Sequence, residues 1–349
     1  MQCITIIIFV LRTAYASWDV WWTYDGISGA SFWNVNPMWK ICSEGKQQSP
    51  IDIIPKNLLF DPALKSLYIG KQTVSGSLRN TGQTLLFQPS KSHSSISGTG
   101  HHPGSPGANK GFLSRQSSLS FPMSGGMNAR NLDQTTPPVN ITGGPLAYSY
   151  QIEEVTIHFG TDNDHGSEHK IDGNVFPAEI QIYGYNADLY RNGSEASHRP
   201  NGLVGVSILV QIGEVTNPEL QTFTGALSQI PYAGMSADVS VSLRGLLPST
   251  DHFVTYEGST THPGCWETVT WIVFNRPIYI TKQELSSLRS LNSGNATNPK
   301  GAIAGNIRPL QRLNSRTVRT NIDFHSAKEK GCPTMKYETS YKATRSSFP

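Results

Sequence analysis

A mainly β chain, built of short strands joined by many turns, is what the sequence predicts. Three observations carry that expectation. Turn formers are abundant, with 32 glycines and 22 prolines in 349 residues. Long amphipathic helical patterns are scarce. The apolar runs that remain are short and bounded by turn residues.

In chain order, the compact stretch from Trp18 to about Phe87 is aromatic-rich and contains the strand-like runs "KSLYIG" (65–70) and "TLLFQP" (84–89). Strand patterns resume after Asn140 with "EEVTIHFG" (153–160), "AEIQIYGYN" (178–186), "GLVGVSILVQIG" (202–213) and "ETVTWIVFNRPIYI" (267–280). A helical candidate, "TKQELSSLRSL" (281–291), follows the last of them. Between them, residues 90–138 are rich in Ser, Gly, Pro and Asn and nearly free of periodicity, which predicts a disordered insertion looping out of the domain. His101 and His102 lie inside it, but adjacent histidines on a loose segment supply no fixed metal geometry. Residues 326–349 read as an extended, flexible tail.

Charged residues make up 15 % of the chain and the net charge is +3, too weak a balance to argue for nucleic acid or an acidic membrane surface. The apolar run Ile4–Leu11 followed by Ala14-Tyr15-Ala16 predicts a secretory signal peptide spanning residues 1–16, the alternative being a buried N-terminal strand. No later apolar run is long enough to span a bilayer, so direct membrane insertion is not expected. Sequons at Asn140, Asn192 and Asn295 fit a secreted, extracellular glycoprotein. With Cys3 removed in the leader, Cys42, Cys265 and Cys332 remain, which is one pair and one spare thiol.

Within "VTIHFG" (155–160), alternation sends Thr156 and His158 to one face of a strand and the apolar residues to the other. Two histidines at this spacing would make half of a zinc site, and here one is threonine.

An ordered set of motifs resembles the α-carbonic anhydrase family: "QSPIDI" (48–53), "GSEH" (166–169) with "AEI" (178–180), "VTWIVFNRPIYIT" (269–281) and "NIRPLQ" (306–311). The resemblance implies a single mainly β (α+β) domain over residues 17–325, interrupted by the insertion. It implies a large, twisted, mostly antiparallel sheet, a few short peripheral helices and a conical pocket. In that family three histidines hold a catalytic zinc with an open fourth position, which lowers the pKa of bound water to about 7. The corresponding positions here are Thr156, His158 and Gln181. Thr and Gln are poor zinc ligands, so the resemblance implies a lost metal site and no cofactor. The proton-shuttle position is Gln83, which cannot titrate. Glu168 and Thr261 match the pair that orients zinc hydroxide, and Glu179 the residue that buttresses a ligand histidine. Trp271 matches a pocket wall, Tyr183 and Gly205 fall at wall positions, and a tyrosine there is expected to fill part of the pocket. His169 matches a structural histidine. Rescue of the metal by His169 or His262 is the route to the alternative function, a zinc-dependent carbonate dehydratase with rearranged ligands.

Loss of zinc ligands resembles the acatalytic carbonic anhydrase-related proteins. "YDGISG" (24–29), "NITGGPLAYSYQIEEVTIHFG" (140–160) and "RTNIDF" (319–324) are similar to their secreted ten/eleven branch. Thr156 departs from the arginine typical of that branch. The branch implies a disulfide between Cys42 and Cys265 and a non-enzymatic role as a ligand of neuronal cell-surface proteins, notably neurexins. Cys332 matches a tail cysteine implicated in covalent pairing, the alternative being a free or capped thiol.

Overall fold

The computed structural model describes residues 22–90 and 137–324. The proposed leader, nearly all of the insertion, the tail and Cys332 lie outside these described residues, as do His101 and His102.

Fifteen strands occur among the described residues. They are β1 (Asp52–Ile53), β2 (Leu59–Phe60), β3 (Leu67–Ile69), β4 (Thr73–Asn80), β5 (Leu85–Pro89), β6 (Asn140–Gly143), β7 (Tyr150–Phe159), β8 (Lys170–Ile171), β9 (Ala178–Asn186), β10 (Leu203–Ile212), β11 (Ser236–Ser242), β12 (Phe253–Gly258), β13 (Val269–Phe274), β14 (Ile278–Ile280) and β15 (Arg319–Thr320). Thirteen of them form one sheet whose main path runs β11-β4-β5-β7-β9-β10-β13-β12-β15-β2. Pairing is mainly antiparallel, with β10 parallel to both β13 and β14 and β15 parallel to β2, so the sheet is mixed. The small pair β1 and β8 lies apart and ties the segment after "QSP" to the segment after His169.

The predicted strands form where the alternation placed them, and "ETVTWIVFNRPIYI" divides into β13 and β14 at Asn275–Pro277, where proline cannot donate to a ladder. The helical candidate becomes Lys282–Arg289, begun by Thr281, whose hydroxyl accepts from Glu284 N. A second helix, Pro218–Ala226, starts after Asn217, whose side chain accepts from Glu219 N and Leu220 N.

The sheet separates two environments. On one face Val155, Ile157 and Phe159 of β7, Ile180 and Ile182 of β9, and Val204, Val206 and Ile208 of β10 join the main apolar core. Each fully buried aliphatic side chain of this kind contributes about 1.5–3 kcal/mol. The opposite face carries Tyr183, Val269, Trp271 and Val273 of a second cluster, together with the polar residues of the candidate site. Period-2 geometry therefore builds the core and presents the site with the same strands.

Candidate functional site

Strand register places the site residues in rows. Across β7 and β9, Glu154 stands opposite Tyr183, Thr156 opposite Gln181, and His158 opposite Glu179. Across β9 and β10, Tyr183 faces Gly205 and Gln181 faces Ser207; Gly205 in turn faces Trp271 on β13. The β7–β9 register slips between Ile152 and Glu154, which leaves Glu153 as the extra residue of a bulge. Beyond the bulge, Glu154, Thr156 and His158 share one face.

His158 is 2 % exposed and has both ring nitrogens engaged. Its Nδ1 lies 2.7 Å from the carbonyl oxygen of Asn306, an acceptor only, so Nδ1 carries a proton. Thr156 Oγ1 is hydrogen-bonded to Nε2 at 3.2 Å. Thr156 thus occupies the nitrogen that a metal would need. Glu168 Oε1 lies 3.5 Å from Nδ1, and the Tyr24 ring packs edge-on to the imidazole.

Gln181 is fully buried, and its amide uses all four of its hydrogen-bonding positions. Nε2 donates to Glu168 Oε2 at 2.7 Å and to Glu179 Oε1 at 3.0 Å. Oε1 accepts from Tyr183 OH at 2.9 Å and from Thr261 Oγ1 at 3.2 Å. One neutral side chain therefore links two buried carboxyls on one side to two hydroxyls on the other.

The two carboxyls have opposite electrostatics. Burial pushes Glu168 up, with the nearby Glu179 adding to the effect and His158 opposing it. Its oxygens accept from Gln181 Nε2 and, at 2.8 Å, from Arg308 N, and the Thr261 hydroxyl lies close enough to favour the ionised form as well. Burial also acts to raise Glu179, but the His169 ring and a shell of N–H donors outweigh it and hold the carboxyl at about 2. Glu179 accepts from His169 Nδ1, His169 N, Glu168 N, Ser207 Oγ and Gln181 Nε2. His169 Nε2 in turn lies 2.7 Å from Tyr256 OH, which reaches Ser49 Oγ.

Tyr183 fills space beside this network. Its ring packs edge-on to Trp271, while a Cβ on Gly205 would come within 2.9 Å of the Trp271 ring, so glycine is what lets the indole lie against β10. The Thr261 loop is held from behind by the Cys42–Cys265 disulfide, the pairing expected above. The Arg308 guanidinium donates to the carbonyls of Cys42, Ser49 and Thr260 and to Gln48 Oε1, so both ends of the crosslinked region share one buried cation.

These residues do not fit a zinc ion. Of the three positions only His158 offers an imidazole, its Nε2 is hydrogen-bonded to Thr156, and the Gln181 amide is saturated by other groups. Among the described residues no three His, Cys, Asp or Glu side chains are grouped to hold a metal. His169 is committed to Glu179 and Tyr256. His262 lies against Tyr183, and burial pushes its ring down to about 4. Gln83 sits half-buried in the β4–β5 turn, where its backbone N–H donates to Thr81 Oγ1.

A family description, eukaryotic-type carbonic anhydrase, matches residues 28–105 and 111–322. The chain belongs to the carbonic anhydrase family. Among curated proteins it is 36 % identical over 330 residues to "Putative carbonic anhydrase-like protein 2" of Caenorhabditis elegans, covering 92 % of this chain and 86 % of that one. It is 35 % identical over 327 residues to "Putative carbonic anhydrase-like protein 1" of the same organism, covering 86 % and 90 %.

In this member of the carbonic anhydrase family the sequons at Asn140, Asn192 and Asn295 are all exposed, Asn192 capping the short helix Gly193–Ala196. No helix among the described residues is long and apolar enough to cross a membrane. Sequence reasoning missed the roles of Asn306, Arg308 and Glu154. Glu154 precedes Thr156 by two positions, so the alternation that singled out Thr156 and His158 would have found it.

Proposed function

We propose that this chain is a secreted, catalytically silent carbonic anhydrase-related protein of the ten/eleven branch, serving as an extracellular binding partner of cell-surface, neurexin-like proteins. The observation that carries the silent half of this reading is the saturated Gln181 amide at a zinc-ligand position. A side chain with four satisfied hydrogen bonds between buried groups gives up all of them to make way for an ion, and only one imidazole would receive it. Glu168 and Thr261 serve as structural partners of Gln181, in place of orienting a zinc hydroxide.

Secretion is supported by the leader expected at residues 1–16, the exposed sequons and the Cys42–Cys265 bond, since such crosslinks persist in oxidising compartments. With Cys42 and Cys265 paired, Cys332 is the spare thiol of the mature chain and the proposed point of covalent attachment to a partner. The test is capture of neurexin-like ectodomains by the co-expressed full chain on non-reducing gels. A thiol-sensitive adduct that disappears in Cys332→Ser is expected. Absence of any adduct or reversible complex with such ectodomains would overturn the partner half of the reading.

A further inference from the structure

A cavity of about 160 Å³ remains on the site face of the sheet, lined by Glu153, Glu154, Tyr183, Thr260, His262 and Trp266 among others. For scale, a cavity of about 150 Å³ admits benzene. Its chemistry differs from that of a zinc pocket. Two adjacent carboxyls stand on one wall, brought together by the bulge at Glu153. Among the described residues no Lys or Arg lines it. No hydrogen bond among the described residues is made by the Glu154 carboxyl or the His262 ring; His262 packs edge-on to Tyr183 at 5.9 Å between centroids, with His158 and Arg308 acting on it from further off. Both residues are half-buried on the cavity wall.

From this arrangement we infer that the cavity binds a small organic cation, an alkylammonium group held by Glu154 and His262 with its carbon chain against Tyr183 and Trp266. An ammonium carries three donors and no acceptor, which suits a carboxylate and a neutral imidazole nitrogen. Aromatic faces add cation–π attraction. An anion would meet the Glu154 carboxyl, and among the described residues no Lys or Arg side chain lines the cavity to offset it. The inference rests on the zinc-free reading, because a zinc ion in this pocket would reverse its charge preference.

The protonation states agree with the geometry. Burial and the neighbouring Glu153 push Glu154 up to about 7. Around it, burial pushes Tyr24 and Tyr183 above the usual tyrosine range and His262 down to about 4, so none of these three changes charge near neutrality.

The experiment is calorimetric titration of the full chain with n-butylammonium, n-butanol and butyrate, with zinc content measured first on the same sample. Saturable binding of butylammonium and weaker or no binding of the other two are expected. Glu154→Gln should lose about tenfold or more of the affinity, as removal of a charge-assisted hydrogen bond entails. The alkylammonium chemistry can come from a free amine or a lysine side chain, and an arm with Nα-acetyl-lysine methylamide assigns the source. Butyrate or butanol binding as tightly as butylammonium, or no saturable binding, would overturn the inference. The contrast of butylammonium with butanol and butyrate on the parent protein decides even if Glu154→Gln fails to fold. Stoichiometric zinc would defeat the zinc-free reading; a zinc-free sample indifferent to butylammonium would defeat this inference alone.

Discussion

Replacing Gln181 by leucine tests whether its amide is a structural element of the pocket. Leucine keeps most of the volume and removes all four hydrogen bonds. Glu179 loses least, since four other donors remain on it. Glu168 keeps Arg308 N as a donor, with the Thr261 hydroxyl nearby and His158 Nδ1 3.5 Å away. The Tyr183 and Thr261 hydroxyls lose their shared acceptor. One hydrogen bond to a buried charge is worth about 1.5–3 kcal/mol and each neutral hydroxyl about 1 kcal/mol, which gives a loss of about 3–5 kcal/mol. At a urea slope of about 2–3 kcal/mol/M, the midpoint falls by about 1–2 M. The cost also depends on pH. Glu168 is a carboxyl raised by burial, so removing a donor raises it further and disfavours its ionised form in the fold. The added destabilisation therefore grows as pH rises above the parent's folded value of Glu168 and is absent below it, where the carboxyl is protonated in both folded proteins. A loss under about 1 kcal/mol, the scale of a surface substitution, would refute the reasoning.

Three further outcomes are expected. Glu179 is held at about 2 against an ordinary 4.5, so the stability it contributes is present above about 4.5 and is lost as pH falls toward 2. A urea series across that window in parent and Glu179→Gln should show the two curves converging at low pH, and parallel curves would contradict it. Opening the Cys42–Cys265 bridge, which joins residues 223 apart, by paired serine substitutions should cost on the order of 5 kcal/mol by the chain-entropy estimate, read from urea midpoints. Because Thr156, His158 and Gln181 stand on facing positions of β7 and β9, Thr156→His with Gln181→His should recover zinc in dialysed protein. A folded double variant that takes up no zinc would mean that Tyr183 closes the site.

Alternation made the strands legible, because each β7, β9 and β10 residue must choose between the apolar core and the site face. Pro218–Ala226 escaped notice since a nine-residue helix shows little periodicity, although Asn217 and Pro218 are start signals. Thr156, His158 and Gln181 could be placed by motif order. That Gln181 would join Glu168 to Glu179 could not be, because the bridge depends on β9 facing the "GSEH" turn, a contact that no local pattern encodes. Glu154 was within reach by spacing alone, but its isolation in a cavity beside His262 exists only in three dimensions.

The most direct measurement is the zinc content of purified, dialysed full-length protein, taken together with its carbon dioxide hydration rate. A protein without stoichiometric zinc, whose hydration rate equals the spontaneous one, is predicted. Stoichiometric zinc with fast, sulfonamide-sensitive hydration would contradict the account.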